Sequence, residues 1–152
     1  MKPNLNYARI VRGPKTSKIG RRTGVLDLRC MVKIVNAVLV LRAGNAPGWT
    51  SAIDSGQVAW AKSYIRWLTT GPLALAEAAA TKCVTHTLAQ SNHGSYYYGQ
   101  LAALQILVYD GASANPTIQK YFSTVFRNQV NGTGEQVRAA LPDKSWLQPP
   151  DM

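Results

Sequence analysis

The segment Ser91-Asn92-His93-Gly94-Ser95-Tyr96-Tyr97-Tyr98-Gly99-Gln100 gathers an imidazole, three phenols and two side-chain amides within ten residues. Each of these groups donates or accepts a hydrogen bond, and the imidazole and phenols also carry protons. An imidazole with an ordinary pKa of about 6.5 is largely neutral at pH 7 and so serves as a base. A phenol with an ordinary pKa of about 10 serves as an acid, or as a base where neighbouring positive charge lowers it. A single histidine near a helix start is more often surface decoration. The convergence of several proton-carrying groups argues for chemistry instead.

Helices must position these groups. Leu28, Met31, Val32, Val35 and Leu39 recur at three- and four-residue steps and predict a helix from about Val25 to Arg42. Gly44-Asn45-Ala46-Pro47-Gly48 stops it. A second helix is expected from Thr50 or Ser51, either of which caps it, to about Leu68, before the break at Thr69-Thr70-Gly71-Pro72. Leu73 to Lys82 is alanine-rich and helix-prone. A further helix is expected from Gly94 to about Asp110, and a last one from about Pro116 to Val130 with Ile118, Tyr121, Phe122, Val125 and Phe126 on its apolar face. Trp60, Tyr64, Trp67, Tyr121 and Phe122 follow helical spacing and read as core rather than as sugar platforms. No alternating strand pattern competes, so the fold reads as all-α, built from antiparallel helical hairpins.

The formal charge is +10, and residues 1–42 hold ten basic residues against the single acid Asp27. A field so concentrated favours a polyanionic partner, either an acidic polysaccharide or a nucleic acid. The basic residues sit in a loop rich in Gly and Pro rather than on one helical stripe, which argues against nucleic acid. Cys30 and Cys83 lack metal-ligand spacing, and Cys30 is expected to be a buried free thiol. No run of apolar residues is long enough to span a membrane. The polar first residues do not form a signal peptide, so the chain as written is expected in the cytoplasm.

Three segments carry a family resemblance. Asn92-His93-Gly94, the aromatics and Gln100-Leu101-Ala102-Ala103-Leu104 resemble the Asn-His-Gly-aromatic-Gln motif of the alginate lyase superfamily. Residues 1–8 resemble its Asn-Pro-Asn-Leu-Asn-Tyr-Ala segment, and Gly20 to Arg29 resemble its Gly-Arg-x-Thr-Gly-x-x-Asp-x-Arg segment. All three occur in the family's order and span residues 1–136.

The resemblance implies a partial α/α toroid and cleavage of uronic-acid polymers, alginate-like or glucuronan-like, by β-elimination. It implies Asn92 as stabiliser of the developing negative charge, His93 as base and Tyr97 as proton carrier. Asn4, Asn6, Tyr7, Arg22 and Gln100 are then substrate-binding residues. The chemistry calls for no metal or organic cofactor, and the partner is an acidic polysaccharide. The complete family protein is expected to be secreted.

The chain departs from the family pattern in three places. It opens inside a motif, residues 83–91 read as an insertion, and Leu141 stands where the family has an active-site arginine. The late tyrosine is missing too. Residues 1–136 are therefore expected to be a middle fragment of the catalytic domain, with 137–152 a divergent tail and little or no activity in this chain. A non-catalytic polyanion-binding module, for acidic polysaccharide or nucleic acid, is the competing expectation.

Overall fold

A computed structural model describes residues 3–6, 20, 22–80, 93–130 and 132–134. A 3-10 segment, Arg22–Leu28, leads into α1 (Met31–Ala43). Helices α2 (Ser51–Thr70), α3 (Pro72–Ala80), α4 (His93–Leu107) and α5 (Gly111–Lys120) follow. A π-helical segment, Tyr121–Val125, then joins α5 to the short α6 (Phe126–Gln129). The fold is all-helical, with no strand among the described residues. None of the described helices is long and apolar enough to cross a membrane.

Helix ends follow their local chemistry. Thr50 caps α2 by accepting from the Ile53 amide at 3.3 Å, as its position at the start of the apolar period predicts. Thr69 and Thr70 do not break α2; their hydroxyls donate back to carbonyls one turn earlier, Thr70 to Arg66 at 2.7 Å. The break falls at Gly71, where a Cβ would sit 2.6 Å from the Trp67 carbonyl and 2.9 Å from its indole. Pro72 follows as the first residue of α3, where its missing N–H costs nothing.

The helix expected to start at Pro116 begins five residues earlier. The Asp110 carboxylate accepts from the Ser113 amide at 3.0 Å and caps α5, and the helix accommodates Pro116 inside it. That hydrogen bond holds the Asp110 carboxyl below the ordinary carboxylate range.

The core centres on α4, against which α1, α2 and α5 pack. Tyr64, Met31, Leu68, Leu104 and Leu107 are the largest fully buried side chains of its apolar core. Trp67 stacks on Tyr64 with ring centroids 5.7 Å apart, and Trp60 is partly buried beside them. The expected apolar face of the last helix is only partly covered. Val125 is buried, while Phe122 is 55% exposed and Ile118 and Phe126 are also exposed.

Helix α1 exposes a second apolar strip, Ile34, Val40 and Leu41. Its α-helical geometry begins only at Met31, so Val35 and Val38 join Met31 inside and Val32 turns outward. The same offset corrects the reading of Cys30. It sits at the junction before α1 as an exposed free thiol, not a buried one. Cys83 lies outside the described residues.

Candidate active site

His93 is the first residue of α4, and its Nδ1 lies 2.5 Å from Oε1 of Glu77 on α3. Glu77 is completely buried. It is the sole acid in the otherwise apolar sequence Pro72–Ala80, so its charge is offset by side chains from other elements. Nη1 of Arg22, from the 3-10 segment, stands 3.8 Å from Glu77 Oε2. The arginine side chain is 34% exposed and the histidine 14%, so the two reach from a buried carboxylate toward solvent. Glu77 Oε2 itself has no hydrogen-bond donor among the described residues.

Gln100 sets the position of Arg22 from inside the core. Its amide nitrogen donates to the Val25 carbonyl at 3.0 Å, and its oxygen accepts from the Tyr64 hydroxyl at 3.1 Å. In an α-helix the Val25 carbonyl would serve the Arg29 amide, but that amide bonds Leu26 instead, at 3.0 Å. The diversion keeps residues 22–28 in 3-10 geometry and seats the segment on α3 and α4. Gln100 is fully buried with both amide atoms engaged inside the protein, an arrangement that suits positioning the site from within more than touching substrate. Burial also pushes the Tyr64 phenol well above its ordinary pKa, with the Asp27 charge adding to the effect.

Tyr97 is corrected in the same way. Its hydroxyl donates to the Leu68 carbonyl at 2.8 Å in the core. Burial, with a smaller contribution from Tyr98, pushes its pKa up to about 12. A phenol held neutral and committed to a carbonyl is the opposite of a proton carrier. Tyr98 is buried too, edge-on to Tyr97 with centroids 5.1 Å apart. Of the three consecutive phenols only Tyr96 retains appreciable exposure.

Asn6 accepts from the Trp67 indole at 2.7 Å through its side chain, and its carbonyl accepts from the Gly20 amide at 2.6 Å. Its side-chain oxygen thus ties the first segment to α2 and is not offered to substrate. Asn4 is partly buried two residues earlier. Asn92, Tyr7 and Arg21 lie outside the described residues. Arg29 is exposed at the turn before α1.

The structure therefore joins two residues expected to be functional, His93 and Arg22, through one whose role the spacing did not reveal, Glu77. A lone acid within an alanine-rich helix was its only signal in the sequence. Among the described residues no three His, Cys, Asp or Glu side chains are gathered to hold a metal ion. A groove of about 440 Å³ between α3, α4 and α5 is lined by Thr69, Leu75, Tyr97, Tyr98 and Lys120 among others. Its walls do not include His93, Glu77 or Arg22, so volume alone does not mark the site.

The family profile of alginate lyases matches residues 1–144. The chain belongs to the alginate lyase family. A crystal structure of an alginate lyase from Bacteroides ovatus shares the fold, with a TM-score of 0.72 and 24% identity over 90% of this chain. The chain spans about a third of that protein's length, 33%. No curated protein matches it at a significant level. Within this alginate lyase family member, the Asn-His-Gly histidine is the residue held by the buried Glu77 carboxylate.

Proposed function

We propose that this site promotes β-elimination on a uronic-acid polymer, alginate-like or glucuronan-like, with His93 as the base. The observation that carries this reading is the hydrogen bond from His93 to Glu77 beside the partly exposed Arg22. With Nδ1–H donated to the carboxylate, a neutral ring has its lone pair on Nε2. That lone pair removes the C5 proton of the uronate. The freed electrons form the C4=C5 double bond as the C4–O4 bond breaks, and the departing oxygen takes up a proton.

A uronate carboxylate resists this step, because the developing enolate gathers a second negative charge. Arg22 supplies a cation to neutralise that carboxylate, and Asn92 a hydrogen-bond donor to the same charge. The reading assigns the proton for O4 to Tyr96, the least buried phenol of the three. Elimination in this chain is expected to be slow, because Leu141 stands where the family has a further arginine.

The product double bond is conjugated with a carboxylate, so turnover raises ultraviolet absorbance. At high protein concentration alginate or polyglucuronate should give a slow rise, which His93→Ala reduces by about 10²–10⁴-fold. An equal rise from wild type and His93→Ala would remove His93 from the reaction. Binding of either polymer with no rise at any protein concentration would favour a polyanion-binding module instead.

A further inference from the structure

We infer that Glu77 is a positioning residue that sets both the imidazole tautomer of His93 and the station of Arg22; this rests on the lyase reading above. One oxygen of the carboxylate faces His93 Nδ1 at 2.5 Å and the other faces Arg22 Nη1 at 3.8 Å. The first contact is a hydrogen bond to an acceptor that cannot rotate away, since Glu77 is fully enclosed. It makes Nδ1 the protonated nitrogen and fixes the ring plane. A neutral imidazole without such a partner favours the Nε2–H form, whose Nε2 has no lone pair for a substrate proton.

The second contact is an ion pair too long for a hydrogen bond, and Glu77 Oε2 has no donor among the described residues. The guanidinium is thus attracted without being consumed. The arginine side chain is 34% exposed, and a uronate carboxylate would dock against its guanidinium there. A buried carboxylate whose only purpose was stability would be expected to satisfy both oxygens. In the assigned arrangement Glu77 lets base and cation act on the same sugar residue, from two elements far apart in sequence.

The chain contains two histidines, His86 and His93, so nitrogen-15 NMR of the imidazoles reads the tautomer directly, with His86→Gln assigning the other ring. In wild type at mildly alkaline pH, His93 should carry its ring proton on Nδ1 and none on Nε2. Glu77→Gln should keep that form, because the amide oxygen still accepts. Glu77→Leu should switch it to Nε2–H. The elimination rate should fall about 10–100-fold in Glu77→Leu, with partial recovery in Glu77→Gln.

A wild-type His93 protonated on Nε2, or the same tautomer in wild type and Glu77→Leu, overturns the inference. Should Glu77→Leu fail to fold, Glu77→Gln decides together with wild type: loss of Nδ1–H in the amide variant contradicts the assignment. If no polymer yields ultraviolet absorbance while the tautomer responds as stated, the lyase reading falls and the positioning role of Glu77 stands.

Discussion

Among the described residues two arginine–carboxylate pairs tie elements together, and they are built to different ends. In the first, Arg42 Nε donates to Asp54 Oδ1 at 2.6 Å, and the Trp49 indole donates to the same oxygen at 2.8 Å. Arg42 Nη1 donates to the Leu107 carbonyl at the end of α4, at 2.9 Å. The guanidinium lies over the Tyr109 ring, 4.7 Å from its centroid. Tyr109 holds a left-handed φ of 64°, costly for a bulky residue and maintained here at the turn between α4 and α5.

In the second pair, Arg22 stands off Glu77 at 3.8 Å, and the carboxylate is fully buried, whereas that of Asp54 is 24% exposed. Each pair leaves one polar atom without a hydrogen bond, Arg42 Nη2 and Glu77 Oε2. The arginine has three other N–H groups, on Nε and Nη1, and an aromatic face beneath it. The glutamate carries its charge on two oxygens, and among the described residues His93 is the hydrogen-bond partner of one of them. Short, shared hydrogen bonds that close a joint between helices are a structural device. A buried charge with one arm open toward a half-exposed cation is an arrangement that stability alone does not favour.

Substitutions should separate the two regions. The largest effect belongs to His93→Ala, which should cut elimination by about 10²–10⁴-fold and leave the helical content unchanged by circular dichroism. Arg22→Ala should be smaller and should weaken polyuronate binding. The salt dependence of binding should also flatten, since one exposed charge is removed.

Tyr97→Phe tests the core side of α4. It leaves the Leu68 carbonyl without its donor and should cost about 1–3 kcal/mol in denaturant unfolding, with elimination retained. Because burial raises the folded-state pKa of Tyr97 to about 12, its neutral form stabilises the fold below the ordinary value near 10. That contribution is lost as pH rises through 12, so the alkaline fall in stability should be shallower in Tyr97→Phe.

Asp54→Asn should have the smallest effect of the series and should act on stability alone. Hydrogen bonds from Arg42 and then Trp49 hold the Asp54 carboxyl below its ordinary value of 3.8. The stabilisation is therefore present above 3.8 and lost as pH falls through the lower folded-state value. The gap in thermal midpoint between wild type and Asp54→Asn should close as the solution is acidified. An elimination rate that tracked Asp54 instead would erase the distinction between the two pairs.

Much of the helical framework was legible because apolar period and punctuation agree. Thr50 caps where the apolar face begins, and Gly71-Pro72 divides α2 from α3 as its composition predicts. What the pattern hid depends on long-range partners. The 3-10 geometry of residues 22–28 reflects Gln100, seventy-five residues from Val25. The start of α5 was obscured by Pro116, which reads as a helix opening but lies inside a helix capped by Asp110.

At the site, the resemblance named His93 and Arg22, which both lie against Glu77, and it also named Tyr97 and Gln100, which face the core. Consecutive positions on a helix point about 100° apart, so one motif divides between cleft and interior. Only packing reveals which member goes where. Glu77 escaped because nothing along an alanine-rich helix says that its one charge is buried.

The central claim is that the Glu77 cluster exists for chemistry and the Asp54 cluster for structure. It is tested most directly by measuring thermal stability and elimination rate together in Glu77→Met, an apolar side chain of similar size. Removing one member of a buried ion pair is costly where it strands the other charge away from water, but the partners left by Glu77→Met are an imidazole that is neutral on this reading and a guanidinium whose side chain is 34% exposed. The account predicts a thermal midpoint equal to or above wild type and an elimination rate reduced about 10–100-fold. A lowered midpoint with an unchanged rate would contradict it and make Glu77 a structural residue like Asp54.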